Sequence, residues 1–194
     1  MSRLTSLPNL LTLMRIILIP IFIIVFYLPF SFAEGVAAGL FALASFTDWL
    51  DGYLARRLKQ MSPFGAFLDP VADKLLVASC LLLLVGAKHM EYITIPAIVI
   101  VGREIVISAL REWMAEVGNR ASVTVSYIGK IKTSLQMSAL FLLIAFSPTD
   151  SWWGVLGFVM LYLAAILTIW SMVIYLKLAW PKLMSQDSEI ERQI

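Results

Sequence analysis

Four aspartates stand where an apolar chain has least use for them. Asp48, Asp51, Asp69 and Asp73 fall within 26 residues, inside or at the edges of stretches otherwise made of residues that avoid water. A carboxylate at membrane depth costs about 2.5 to 3.5 kcal/mol on insertion scales, so such acids normally face a cavity and act there. Asp48 and Asp51 are three apart, which puts them on one helical face, and Gly52 leaves that face unobstructed. Asp69 and Asp73 are four apart, again one face, with Gly65 a turn earlier and Pro70 expected near the start of their helix. Clustered in a low dielectric, four carboxylates repel unless cations neutralise them. Hard oxygen donors suit Mg2+, Mn2+ or Ca2+ rather than zinc, so a site for two divalent ions is expected. The alternative is pairing with Arg56, Arg57, Lys59 and Lys74 in a solvated loop, which needs no metal.

The elements that must position these acids follow from the apolar background. Of 194 residues, 60% are hydrophobic and 14% charged, and the mean hydropathy is +0.88, the composition of a bilayer protein rather than a soluble domain. A spanning helix needs roughly 20 apolar residues. Six such stretches are expected, near 7–28, 35–57, 65–87, 91–115, 121–147 and 152–177. The first is too long for a signal-peptide core and carries Arg15 and Pro20, so it is expected to remain in the mature protein. The fold class is therefore an all-α integral membrane protein of six transmembrane helices behind a short N-terminal interfacial segment. One domain covers 1–180, and a polar tail over 181–194 is expected to be mobile.

Lys and Arg set the orientation. Arg3, Arg56, Arg57, Lys59, Arg120, Lys177 and Lys182 gather on one side, against Glu34, Lys88, Glu91 and Asp150 on the other, so both termini face the cytoplasm. The formal charge of +2 gives no reason to expect nucleic acid as a partner, and the basic rim suits anionic lipid headgroups. Cys80 is the only cysteine, in an apolar run, and reads as packing. Trp152, Trp153, Trp170, Trp180 and Tyr175 read as an interfacial belt or packing, and His89 falls on the outer side.

Taken in order, Asp48, Asp51-Gly52, Ala55-Arg56, Gly65, Asp69 and Asp73 resemble the signature of the CDP-alcohol phosphotransferases. Leu7-Pro8-Asn9-Leu10-Leu11-Thr12 with Arg15, Arg103-Glu104, Arg111-Glu112-Trp113 and Gly129-Lys130-Ile131-Lys132-Thr133 extend the likeness to the bacterial branch that forms phosphatidylglycerophosphate, over nearly 5–180. The resemblance implies six helices, a homodimer in the bacterial cytoplasmic membrane, and a cytoplasm-facing polar cavity where substrates and two Mg2+ or Mn2+ ions meet. The implied reaction moves a phosphatidyl group from CDP-diacylglycerol to glycerol 3-phosphate and releases CMP. By the same resemblance, Asp48 and Asp69 bridge two metals, Asp51 completes one site, and Asp73 serves the other and acts as general base. Gly52, Ala55, Arg56 and Gly65 are implied around the CDP moiety, as is Ser62. Asn9 and Thr12 are implied there too, with helix capping as the plainer reading.

Arg103 and Glu104 fall in the middle of the fourth stretch, with Arg111 about two turns on. Arg103, Arg111 and Lys130 together suit the phosphate of a phosphorylated acceptor. The alternative is internal charge balance, Arg103 with Glu104 and Arg111 with Glu112. Lys132 and Thr133 either join the same pocket or leave the Lys to snorkel to headgroups. Inositol phosphate or phosphatidylglycerol as acceptor stays open, and so, from another class, does an ion-coupled transporter.

Overall fold

In the absence of water a helix alone satisfies every backbone N–H and C=O within its own segment, and the apolar stretches fold accordingly. The computed structural model describes residues 7–58, 63–87, 90–116, 127–146 and 150–190. Among these residues six α-helices follow one another: α1 (Leu7–Phe26), α2 (Ala33–Leu58), α3 (Pro63–Gly86), α4 (Thr94–Glu116), α5 (Tyr127–Ala145) and α6 (Trp152–Ile190). No strand occurs among the described residues.

Several boundaries differ from the hydropathy reading, and three of the shifts have a visible cause or consequence. α3 opens at Pro63, a residue suited to a first turn because its missing N–H has no partner to lose there. Pro70 consequently lies inside the helix rather than near its beginning. A 3-10 turn at Glu91–Ile93 delays α4 to Thr94, and the Tyr162 hydroxyl donates to the Tyr92 carbonyl at 2.8 Å, tying that turn to α6. α6 runs for 39 residues, so the backbone remains helical over 181–190, in the segment expected to be a polar tail.

Among the described residues, two helices are long and apolar enough by themselves to cross a membrane, over Asn9–Phe26 and Trp152–Lys177. α2 to α5 carry the acids and bases that build the site, which lowers their apolarity. Even so, large apolar side chains cover the outer surface as well as the core. Leu10, Ile17 and Ile24 on α1, Leu82 on α3, Ile95, Ile98 and Ile105 on α4 and Ile166 on α6 face outward. Arg15, Asp51, Lys132 and Gln136 are buried instead. Apolar surface spread over helix after helix, with charged side chains buried inside, is matched by lipid and not by water. Trp152, Trp153, Trp170 and Trp180 are exposed as well.

α1 packs chiefly on α2 and also on α3, α2 reaches α5, α5 and α6 form the most extensive pair, and α4 leans on α6. α3 and α4 touch only lightly. An apolar core of Phe22, Phe41, Leu76, Leu81, Ile100, Leu140 and Leu161 closes one end of the bundle, with the rings of Phe22 and Phe41 6.1 Å apart. Cys80 is a free thiol within this core, as its apolar setting suggested.

The α5–α6 contact depends on one glycine. A Cβ at Gly157 would stand 2.9 Å from Leu142 Cβ and 3.2 Å from the Ala139 carbonyl oxygen, and backbone cannot give way as a side-chain tip can. Gly157→Val is expected to push α6 off α5 and destabilise the fold by about 1 to 3 kcal/mol. A lower thermal unfolding midpoint in detergent reads this directly; an unchanged midpoint would mean that the two helices part without cost.

Candidate active site

The four aspartates converge. α2 and α3 present them toward α1, where Arg15, with a side chain 0% exposed, reaches into the gap. Its Nη1 lies 2.9 Å from Asp48 Oδ1 and also binds Asp73 Oδ1. Its Nη2 donates to Asp51 Oδ2 at 2.5 Å. Thr12, one turn earlier on α1, donates its hydroxyl to Asp69 Oδ1 at 2.5 Å and stands 3.4 Å from Asp51 Oδ2. A polar stripe Asn9, Thr12 and Arg15, three residues apart each time, thus forms the buried face of an otherwise apolar helix. Thr12 lies well inside α1, so it does not cap that helix. Two of the basic residues weighed as alternative partners go elsewhere, while the Arg56 side chain and Lys59 lie outside the described residues. Lys74 donates to the Ser108 hydroxyl on α4, and Arg57 donates to the Tyr53 hydroxyl at 3.0 Å.

The carboxylates differ in access. Asp51 is 4% exposed and sits behind, whereas Asp48 and Asp73 are 36% and 43% exposed. These two form one wall of a cavity of about 260 Å³. The facing wall comes from α4, α5 and α6: Arg103, Glu104 and Arg111, then Gly129, Lys132, Thr133 and Gln136, then Tyr175. Arg103 donates to Glu104 Oε1 at 2.7 Å, and Lys132 Nζ lies 3.7 Å from the same oxygen. The charge balance weighed for Arg103 and Glu104 is therefore formed, yet it does not close the site, since the buried Nε of Arg103 donates to nothing among the described residues. Arg111 does not turn to Glu112 but lies over the Tyr175 ring, 6.0 Å from its centroid. Three cationic side chains and one carboxylate thus face the exposed aspartates across the same cavity.

Among the expected site residues, Asp48, Asp51, Asp69 and Asp73 come together with Thr12, and Arg103 and Arg111 meet Asp48 and Asp73 at the cavity. Asn9 is buried on the Thr12 face of α1, Gly52 is half-buried on α2 and Gly65 is buried on α3. Ala55, Arg56 and Lys130 lie on helices α2 and α5, but their side chains fall outside the described residues, as do Ser62 and His89 altogether. Lys132 is buried and does not snorkel. Arg15, Gln136 and Tyr175 are the additions made by the structure. Gln136 was readable: Gly129, Lys132, Thr133 and Gln136 repeat at helical spacing within an apolar span. Tyr175 had no such signal.

The donor set suits divalent cations: four carboxylates on two helices, faced among the described residues by one guanidinium. As the side chains stand, no three of the described acids are arranged as a metal shell, and Arg15 occupies the point where they meet.

An all-helical fold with this signature, a polar interior and an acid-lined cavity defines a class. The chain belongs to the CDP-alcohol phosphatidyltransferase family, which it matches over residues 5–170. It is 54% identical over 179 residues to a CDP-diacylglycerol–glycerol-3-phosphate 3-phosphatidyltransferase of Pseudomonas fluorescens, covering 92% of each chain. Proteins of the same name from Yersinia enterocolitica and Salmonella paratyphi A are similar too. The first is 53% identical, covering 92% of this chain and 97% of the relative. The second is 52% identical, covering 93% and 98%.

Proposed function

We propose that this chain transfers the phosphatidyl group of CDP-diacylglycerol to sn-glycerol 3-phosphate, giving phosphatidylglycerophosphate and CMP. The observation that carries the reading is the shared cavity. Asp48 and Asp73 form one wall, and Arg103, Arg111 and Lys132 form the other, as a reaction between a pyrophosphate donor and a phosphorylated alcohol requires. The names of the relatives, at more than half identity over nearly the whole chain, agree with it.

Asp48, Asp51, Asp69 and Asp73 would hold two divalent cations, Mg2+ or Mn2+, which neutralise the pyrophosphate and favour in-line displacement. Asp73, open to the cavity, takes the proton of the primary hydroxyl of glycerol 3-phosphate. The hydroxyl oxygen attacks the phosphorus attached to diacylglycerol, the bond to the CMP oxygen breaks, and CMP leaves. No covalent intermediate on the protein is needed. Arg103, Arg111 and Lys130, joined by Lys132, receive the acceptor phosphate, for which a guanidinium fork and an ammonium are apt. Gly52, Ala55, Arg56, Gly65, Asn9, Thr12 and Ser62 belong to the nucleotide side in this reading.

A lipid substrate also needs a route from polar to apolar. A second cavity, of about 540 Å³, lies between α3 and α4 and is lined by Val71, Leu75, Val101 and Ile105. It shares Lys74, Val77 and Glu104 with the first, so a charged headgroup and its acyl chains can be served by adjoining spaces. The six helices span the bacterial cytoplasmic membrane with both termini and the cavity mouth at the cytoplasm, and the chain works as a homodimer.

The test is turnover by purified protein in mixed micelles with CDP-diacylglycerol, Mg2+ or Mn2+, and in turn glycerol 3-phosphate, inositol phosphate or phosphatidylglycerol, following CMP and the lipid product. CMP and phosphatidylglycerophosphate are expected with glycerol 3-phosphate alone. EDTA is expected to abolish the reaction and excess Mn2+ to restore it. Turnover with another acceptor would move the specificity. Folded, metal-replete protein inactive with all three would overturn the assignment.

A further inference from the structure

The carboxylate cluster carries its own cation, and that cation is poorly matched to it. Guanidinium binds a carboxylate best by two parallel N–H···O bonds in one plane. Arg15 makes no such pair. Asp48 and Asp73 crowd the single nitrogen Nη1, Asp51 takes Nη2, and Nε, fully buried, donates to nothing among the described residues. One positive charge meets three carboxylates, and a fourth, Asp69, leans on the Thr12 hydroxyl. Because α1 packs on both α2 and α3, the guanidinium stands at the centre of the cluster and gathers acids that would otherwise repel. The same position is the one a hard dication would prefer, with twice the charge and no need of a planar fork.

We infer that Arg15 is a resident counter-ion that competes with divalent cations for Asp48, Asp51 and Asp73. It holds the carboxylates together before loading and yields Asp48 and Asp73, the two that open on the cavity, when a cation enters. The inference rests on the metal reading of the proposed function. In this role Arg15 is a positioning residue: it acts through the aspartates it holds.

The experiment uses the full chain, stripped of metal in detergent, with Mn2+ titrated by the electron paramagnetic resonance signal of the free ion and thermal unfolding recorded at each end of the titration. Arg15→Gln removes the competing charge. It is expected to bind Mn2+ at least about tenfold more tightly than the unaltered chain, since a like charge a few ångströms away is gone. Its unfolding temperature is expected to fall without metal and to recover with saturating Mn2+. Arg15→Lys keeps a charge that cannot span the acids from both helices, and is expected to lie between the two. Folded Arg15→Gln protein with equal or weaker Mn2+ affinity would overturn the inference. Should Arg15→Gln fail to fold without metal, Arg15→Lys decides in the same way: tighter binding than the unaltered chain supports competition, equal or weaker binding refutes it. An unaltered chain that binds no Mn2+ and turns over in EDTA would remove the metal reading itself, a result separate from metal binding that ignores Arg15.

Discussion

Asp73→Asn is expected to reduce CMP release by about a thousandfold or more while leaving the protein folded. The amide keeps the volume of the carboxyl but loses the charge and the capacity to take a proton. Asp73 is the most open of the three acids on Arg15, so it can reach a hydroxyl in the cavity. Arg15 remains held by Asp48 and Asp51 in the variant, which is why the thermal midpoint should change little. A ligand role and a base role predict different responses to metal. If Asp73 served only to hold a cation, raising Mn2+ would restore a large part of the rate. If it is the base, saturating Mn2+ leaves the deficit in place. Single-turnover CMP release across a Mn2+ titration, with the unfolding midpoint recorded beside it, checks this. Residual activity above about a tenth, or full rescue by Mn2+, would remove Asp73 as the base.

Much of this site was legible in the sequence because its chemistry conflicts with its surroundings. Asp48, Asp51, Asp69 and Asp73 stand out from an apolar chain at spacings that share a helical face, and the structure brings those faces together around Arg15 and Thr12. The helices were legible for the same reason, since roughly 20 apolar residues make a helix wherever they fall. Helix ends were less so. Ends depend on tertiary contacts such as the Tyr162 bond to the Tyr92 carbonyl, which links residues far apart in the chain and leaves no local pattern.

Partnership was the part that spacing could not supply. Arg15 is visible as a charge within α1, but its partners lie on two other helices, and the reach of a long side chain does not reveal which of several acids it meets. The nearer bases, Lys74 and Arg57, were equally good candidates by sequence and point to Ser108 and Tyr53 instead. Tyr175 failed for the opposite reason. An aromatic near the end of an apolar helix is ordinarily an interfacial anchor, and only the packing of α4 against α6 brings its ring under Arg111.

Lys132→Met is expected to raise the KM for glycerol 3-phosphate by about 10- to 100-fold, the worth of one charge-assisted hydrogen bond. The change in kcat should be much smaller, and so should any change in the KM for CDP-diacylglycerol. Methionine keeps the linear, apolar stem of the lysine, so the buried space beside Gln136 stays filled and only the ammonium is lost. In the proposed role the cation contacts a phosphate that is present equally in the bound substrate and the transition state, and loss of such uniform binding appears in KM. The competing account gives Lys132 to Glu104, 3.7 Å away, as part of an ion pair that merely makes α4 tolerable in the membrane. The two accounts separate on one comparison. Loss of a structural partner leaves the Glu104 carboxylate to Arg103 alone and should lower the unfolding temperature with KM unchanged, because a buried charge deprived of a partner is costly. A raised KM with an unaltered midpoint assigns Lys132 to the acceptor phosphate. Arg103→Met extends the test. It removes the 2.7 Å partner of Glu104, so it should both raise KM and lower the midpoint, whereas a purely structural Arg103 would move the midpoint alone and leave acceptor recognition to Arg111 on its Tyr175 support.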